Sequence, residues 1–295
     1  MDELVSVLSP VHNEARYLQE MTESLQRQTH ANWECLLVDD GSTDSTPGIC
    51  TDLQQMDQRF RVIGDGGKKG KVAAFNDAFA ASRGDWIVLL AGDDRLPQNS
   101  LERRLDALSS SPQRAVGYFK LRTFSWDKRH DGLVLPRGDR SSRSGGVMCF
   151  DRELADLLFP IPEYLVSEDL WLAAMADGLA SAVVRSQHIV LEYRIHERNS
   201  NPRWSSFKAM TEQMARRHEA WKAVLTCHGR DLDPSVVARL RALWSAELAR
   251  REGRVLSVLG ARGLPIADRL ALASMSNPLM FSLRKRLFRL LSGRR

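Results

Sequence analysis

Six carboxylates of this chain fall in three adjacent pairs, and each pair sits where a structural element begins or ends. Asp39 and Asp40 close the apolar run of LLVDDGSTDST, Asp93 and Asp94 close that of LLAGDDRLP, and Glu168 and Asp169 open SEDLWL. A fold gains nothing from like charges side by side. Paired carboxylates raise each other's pKa and repel unless a cation or hydrogen-bond donors satisfy them. Each pair is therefore either a solvated turn ahead of a helix or a place built to hold a ligand. For Glu168 and Asp169 the plain alternative is two acids complementing a helix N-terminus.

The elements that must position these pairs can be read from periodicity. Strand-like runs at Leu4–Ser9, WECLLVD, RVIG and DWIVLLAG alternate with helical runs. In EARYLQEMTESLQRQ, Leu18, Met21 and Leu25 recur at helical spacing. Thr46 and Pro47 suit the start of the helix in STDSTPGICTDLQQM. Phe75 and Phe79 share a face of VAAFNDAFAAS, as do Leu101, Leu105 and Leu108 of NSLERRLDALSS. Strands interleaved with helices predict βαβ units, a mainly parallel sheet covered on both faces, and a ligand crevice at the carboxyl ends of the strands. Asp39–Asp40, Asp93–Asp94 and the SPVHNE loop after the first strand all fall on that rim. A solvated turn explains one such site easily and three converging ones poorly. Beyond Arg114, AVGYFKLRTF and GGVMCF read as strands flanking a long polar loop, RHDGLVLPRGDRSSRSGG, of a length that is often functional. After Pro202 the chain reads as helical almost throughout, with PSVVARLRALWSAELARREGRVLSVLG as one segment.

Composition narrows the function classes. The 295 residues are 43% hydrophobic and 27% charged, enough apolar material for one large or two modest domains. The net charge of +5 suits an anionic partner without choosing one. Cys35, Cys50, Cys149 and Cys227 are scattered, with no CxxC, which argues against a zinc site or a disulfide framework and fits a reducing compartment. No signal peptide and no run long enough to span a membrane is apparent. SPVHNEARY holds no glycine and GxxxxGK[ST] is absent, so neither a dinucleotide fingerprint nor a P-loop is present. GDGGKKGK at 64–71 reads either as a flexible surface loop or as a phosphate-contacting one.

Taken in order, VSVLSPVHNEARYLQEMTESLQRQTHANWECLLVDDGSTDST, KVAAFNDAFAASRGDWIVLLAGDD, SGGVMCFDRE, SEDLWLAAM and YRIHERNSNP resemble the inverting family 2 glycosyltransferases, of the bacterial polysaccharide-biosynthesis type, which have the GT-A fold. The resemblance implies a nucleoside-diphosphate-sugar donor, a glycan or lipid-linked acceptor and Mn²⁺ or Mg²⁺. It implies that Ser9, Pro10, Glu14, Asp40, Lys71 and Asp93 bind the nucleotide, and that Asp94 holds the metal in place of the family's DxD, whose first Asp falls here on Ala91 or Gly92. Asp169 matches the general base that an in-line displacement needs, with Glu168 and Trp171 on the acceptor side. Arg194, His196 or Arg198 falls in the segment that closes over the diphosphate in relatives. Asp39 either contacts donor or holds its own loop. Two rivals stand beside this reading: a sugar nucleotidyltransferase, whose glycine-rich first loop is absent here, and a non-catalytic nucleotide- or membrane-binding protein, with no nucleic acid expected.

The expected organisation is an α/β GT-A domain at 1–202, its nucleotide half at 1–112 and its acceptor half at 113–202, followed by a helical extension at 203–295. No acid follows Asp268, while Arg269, Arg284, Lys285, Arg286, Arg289, Arg294 and Arg295 do. Leu279, Met280, Leu283, Leu287, Leu290 and Leu291 share a helical face opposite Lys285, Arg286 and Arg289, with Arg284 at its edge. Such a helix at 278–295 either lies on anionic lipid or packs against a domain or a second copy. The expected location is the cytoplasm, with the inner face of the membrane as a docking place.

Overall fold

The computed structural model of the protein describes residues 3–196 and 206–291, the side chains of 287–291 excepted. The 202/203 boundary, Arg198, Arg294 and Arg295 lie outside the described residues, as do the side chains of Leu287, Arg289, Leu290 and Leu291. The chain divides into two compact units, Met1–Asn199 and Ser200–Arg295.

The first unit is built on an eight-stranded mixed sheet. Its elements in chain order are β1 (Val5–Val11), α1 (Leu18–Gln26), β2 (Trp33–Asp39), α2 (Thr46–Met56), β3 (Phe60–Val62), α3 (Lys71–Ala81), β4 (Trp86–Leu89) and α4 (Ser100–Leu108). There follow β5 (Ala115–Phe124), β6 (Val134–Leu135), β7 (Met148–Asp151), α5 (Arg152–Leu158), α6 (Glu168–Leu179) and β8 (Ala182–Arg194). The strand order is β3-β2-β1-β4-β7-β5-β6, with β8 pairing β5. β1 lies parallel to both β2 and β4, and β2 to β3, so the first four strands all end on one rim. β7 turns antiparallel between β4 and β5. Val5, Val7, Cys35, Leu37 and Val88 belong to one core that Leu18, Met21, Leu25, Leu101 and Leu108 cover from the helices.

Besides the short β6 inside the stretch read as a polar loop and the unread α5, two departures from the expected elements bear on the site. β8 was not anticipated: Arg185, Ser186, Gln187 and His188 interrupt its apolar pattern, and its parallel register against β5 shifts at the same place. The N-cap of α2 is Ser45 rather than Thr46. Thr46 is fully buried, and its hydroxyl accepts the Glu14 main-chain N–H at 2.9 Å, fastening the loop after β1 to this helix.

The second unit is helical: α7 (Phe207–His228), α8 (Pro234–Arg251), α9 (Val255–Leu259), α10 (Ile266–Ala273) and α11 (Pro278–Leu291). The stretch from Pro234 to Gly260, expected as one helix, breaks where Gly253 takes φ +73°, a left-handed conformation open to glycine at little cost. At its centre Glu247, 0% exposed, accepts from Arg250, Arg251 and lies 2.9 Å from His218 Nδ1. Burial alone would raise the Glu247 carboxyl, but these donors outweigh it and bring it down to about 2. Burial holds the His218 imidazole below its ordinary range against the pull of Glu247, so at neutral pH the arginines are the cations that hold Glu247 ionised.

Candidate active site

The site is assembled on the rim where β1, β2 and β4 end. Asp39 answers to its own turn: the Ser42 N–H points at both of its oxygens, 3.3 Å away. Asp40 reaches across to the glycine-rich loop. Its Oδ1 accepts the main-chain N–H groups of Lys69 and Gly70, both at 2.7 Å, and Lys68 Nζ lies 3.9 Å from Oδ2. The 64–71 loop is therefore fastened at its C-terminal end to Asp40. Gly41, at φ +74°, is required there, because a Cβ would stand 2.7 Å from the Lys68 Cβ.

Lys71, the first residue of α3, carries the loop's charge into the acidic centre. Its Nζ pairs with Glu168 Oε1 at 2.6 Å. Half of the Lys71 side chain is exposed; the protein packed round its ammonium would lower it, but Glu168, Asp169 and Asp93 outweigh that and hold it above its ordinary range. That one cation feels three of the carboxylates shows that the AGDD and SEDLWL segments, 75 positions apart, face a common space. Asp169 lies in the first turn of α6, where its Oδ1 accepts from the Ser167 hydroxyl and from the Leu170 N–H.

Asp94 is 4% exposed. Burial, and then the neighbouring Asp93, push its carboxyl well above the carboxylate range, against the pull of Arg194 and Lys71. Its Oδ1 accepts the Arg194 main-chain N–H at 2.8 Å. Asp93 Oδ2 lies 2.9 Å from His196 Nε2, and the His196 ring lies 5.1 Å from that of Tyr17. Glu14 packs beside the same loop: a Cβ on Gly92 would meet its Cγ at 2.9 Å.

A divalent metal suits this donor set. Two crowded carboxylates, one of them buried, are relieved by a cation, and oxygen donors with an imidazole beside them suit Mg²⁺ or Mn²⁺. Among the described residues no group of three or more His, Cys, Asp or Glu side chains is arranged to enclose an ion. The remaining positions would fall to phosphate oxygens and water, the usual state of protein-bound Mg²⁺.

Three residues expected at the ligand are differently employed. Arg194 is 5% exposed. Its Nε donates to the Asp93 carbonyl (2.7 Å), its Nη2 donates to Glu20 (2.9 Å), and its guanidinium lies between the rings of Tyr17 (4.4 Å) and Phe124 (4.3 Å). It braces the Asp93–Asp94 turn. Trp171 is buried in the core with its indole N–H donating to the Leu158 carbonyl, so it faces packing and not an acceptor. Ser9 is 0% exposed, and among the described residues its buried hydroxyl finds no hydrogen-bond partner. Pro10 and Glu14 are half-buried on the rim. Sequence reasoning passed over the bracing set of Tyr17, Glu20, Arg95 and Phe124. Arg95 joins Glu20 (3.3 Å) and Glu192 (3.0 Å) and stacks on Phe124 at 4.0 Å. The sole sequence signal for this set was the cluster of opposite charges around the motif. A groove of about 890 Å³ at the other end of the strands, lined by Glu3, Asp85, Trp86 and Asp151 among others, contains none of the candidate site residues.

Residues 6–146 match the family model "Glycosyl transferase family 2". The glycosyltransferase GlyG of Streptococcus pneumoniae is 38% identical over 102 residues, 35% of this chain and 34% of its own length. TuaG of Bacillus subtilis, a putative teichuronic acid biosynthesis glycosyltransferase, is 33% identical over 103 residues, 35% of this chain and 41% of its own. The chain thus spans about a third to two fifths of these relatives. Among solved structures, Staphylococcus aureus TarS 1–349 in complex with UDP-GlcNAc superposes with a TM-score of 0.65 at 15% identity, over 99% of this chain and 92% of that one. The mannosyltransferase PcManGT of Pyrobaculum calidifontis, in complex with GDP-Man and Mn²⁺, gives 0.62 at 17%, over 98% and 85%. At such identities the likeness is one of fold, and that fold is the GT-A type.

Proposed function

We propose, from the match of residues 6–146 to the family 2 glycosyltransferase model, that this chain transfers a sugar, with inversion, from a nucleoside diphosphate to a hydroxyl acceptor. The observation that supports this reading is the ion pair of Lys71 with Glu168 at 2.6 Å, beside the charges of Asp169 and Asp93, which draws the 64–71, AGDD and SEDLWL segments together. UDP is the preferred nucleotide, in line with the UDP-GlcNAc complex of TarS. The acceptor is a glycan or lipid-linked chain of a cell-surface polysaccharide, in line with the relative named for teichuronic acid synthesis. The reading locates the protein in the cytoplasm; among the described residues no helix is long and apolar enough to cross a membrane. The family match takes the ground from nucleotidyl transfer.

In this mechanism Asp169 accepts the proton of the acceptor hydroxyl as its oxygen attacks the anomeric carbon. The bond from that carbon to the diphosphate oxygen breaks, and the nucleoside diphosphate leaves. The Ser167 hydroxyl and the Leu170 N–H fix one carboxylate oxygen of Asp169 and so aim the other. Lys71, poised on Glu168, meets the diphosphate charge. Asp40 keeps the 64–71 loop in place beside the nucleotide. Asp94, with Asp93 and His196, would hold Mn²⁺ or Mg²⁺, which when bound neutralises charge on the leaving diphosphate.

Two variants separate binding from chemistry. Asp169→Asn should leave donor affinity near wild type and slow transfer by about 10²–10⁴-fold, the usual scale of general-base help. Asp94→Asn should weaken metal-dependent donor binding as well as turnover. Glu168→Gln should fall between. Near-normal transfer by Asp169→Asn would make that residue structural and remove the base from this mechanism.

A further inference from the structure

The helical unit wears its apolar side chains on the outside. Leu279 is 78% exposed and Leu283 47%, and on the neighbouring helix Ile266 is 72% and Leu270 57%. Arg284 Nη1 donates to the Ser274 hydroxyl at the C-cap of α10, which joins the two helices. On α11 the residue that turns inward is Phe281, 7% exposed and 5.6 Å from the Phe207 ring. At about 100° per residue, Leu279 and Leu283 each stand about 160° from Phe281, one on either side of the outward pole, with Arg286 beside them. Ile266 and Leu270 are one turn apart on α10, while Leu272 and Ala273 are its buried residues. A helix that faces only water carries polar residues at its outward pole; these two carry leucine and isoleucine.

The charge around them is one-sided. From Ser200 onward there are 19 lysines and arginines against seven acids, and none of the acids follows Asp268. The remaining 199 residues carry 23 basic and 30 acidic side chains, so the positive excess belongs to the helical unit alone. A second copy paired on this face through a twofold axis would bring Arg286 and the flanking Arg284 against their own counterparts. A nucleic acid would use the arginines and leave the leucines in water. An anionic bilayer meets both demands: acyl chains for the leucines, headgroup phosphates for the cations.

We propose that the outward faces of α10 and α11 dock this protein on an anionic lipid surface, with Ile266, Leu270, Leu279 and Leu283 entering the acyl boundary, and Arg286 beside them and Arg284 at the flank reaching the headgroups, while Lys285 lies over the Phe281 ring at 4.4 Å. The proposal is independent of the sugar-transfer chemistry.

The test is co-sedimentation of the full chain with phosphatidylcholine vesicles, with and without phosphatidylglycerol, at low and high salt. The protein should bind only the anionic vesicles, and more weakly as salt rises. Leu279→Gln/Leu283→Gln should lower binding at least tenfold, and Ile266→Gln/Leu270→Gln should lower it as well, which guards against one pair failing for reasons of folding. Arg284→Gln/Arg286→Gln should lower binding roughly 25-fold, since each cation near such a surface contributes about a factor of five. Both leucine and isoleucine pairs binding as wild type would overturn the proposal, because simple charge adhesion would then suffice. Equal binding to neutral vesicles would overturn it too. So would a concentration-dependent dimer, abolished by Leu279→Gln/Leu283→Gln, in a protein that ignores vesicles, or RNA binding that persists in those variants and excludes vesicles.

Discussion

Replacing Arg194 by methionine asks whether the acidic turn needs its brace. The substitution keeps an apolar stem between Tyr17 and Phe124 but removes the guanidinium that donates to the Asp93 carbonyl at 2.7 Å and to Glu20 at 2.9 Å. The buried bond from a charged donor to the carbonyl is worth about 1.5–3 kcal/mol. The two ring contacts add roughly 0.5–1 kcal/mol each. The Glu20 pair adds little, because that carboxylate is 47% exposed and keeps Arg95 at 3.3 Å. Methionine regains part of the ring contact, which leaves a net loss of about 3 kcal/mol. Urea unfolding followed by tryptophan fluorescence reads it. Arg194→Lys should recover less than half, since an ammonium cannot donate in two fixed directions while lying flat between two rings. Donor affinity should fall in step with stability, because Asp93 and Asp94 lose their placement. A variant as stable as wild type that nevertheless loses donor affinity would refute this reasoning and make Arg194 a direct diphosphate contact.

Gly41→Ala forces a left-handed alanine, about 1–2 kcal/mol on its own, and drives a methyl into Lys68. It should lower the thermal midpoint and donor affinity together, whereas an unchanged midpoint would mean that the 64–71 loop is not held as described. Glu247 links the helical unit to pH. Its carboxyl is depressed from 4.5 to about 2 in the folded state, so its contribution, on the order of 3 kcal/mol, is present above pH 4.5 and drains away as pH falls toward 2. Glu247→Gln should therefore be less stable than wild type at pH 7, with the gap closing on acidification; a gap that is constant from pH 7 to pH 3 would contradict the depressed value.

The parts of the fold that sequence made legible are those whose signal is local. Leu18, Met21 and Leu25 cover the sheet as their spacing implies, and all three are fully buried. The acidic strand ends did fall on one rim because the first four strands are parallel. What stayed hidden depends on distant partners. β8 takes its place from β5, some 70 residues earlier, and carries a polar stretch where the register shifts. Trp171 sits in a motif that promises chemistry, yet its indole is needed under α5, where it bonds Leu158. Arg194 reads in YRIHERNS as a cation that could meet the diphosphate, and only the fold brings Tyr17, Glu20 and Phe124 around it. Arg104, in a helix with a plain leucine stripe, is fully buried, donates to the Gly146 carbonyl at 2.7 Å and leaves Nε and Nη1 without hydrogen-bond partners among the described residues.

The account stands most directly on metal-dependent recognition of a nucleoside diphosphate by the Asp40–Lys71–Asp94 rim. Calorimetric titration of UDP, GDP and dTDP into the full chain, once with Mn²⁺ and once with chelator, measures it. At least one of the three should bind with Mn²⁺, lose most of its affinity with chelator, and bind poorly to Asp94→Asn even with the metal present. Failure of all three to bind, or binding that is indifferent both to Mn²⁺ and to Asp94, would contradict it.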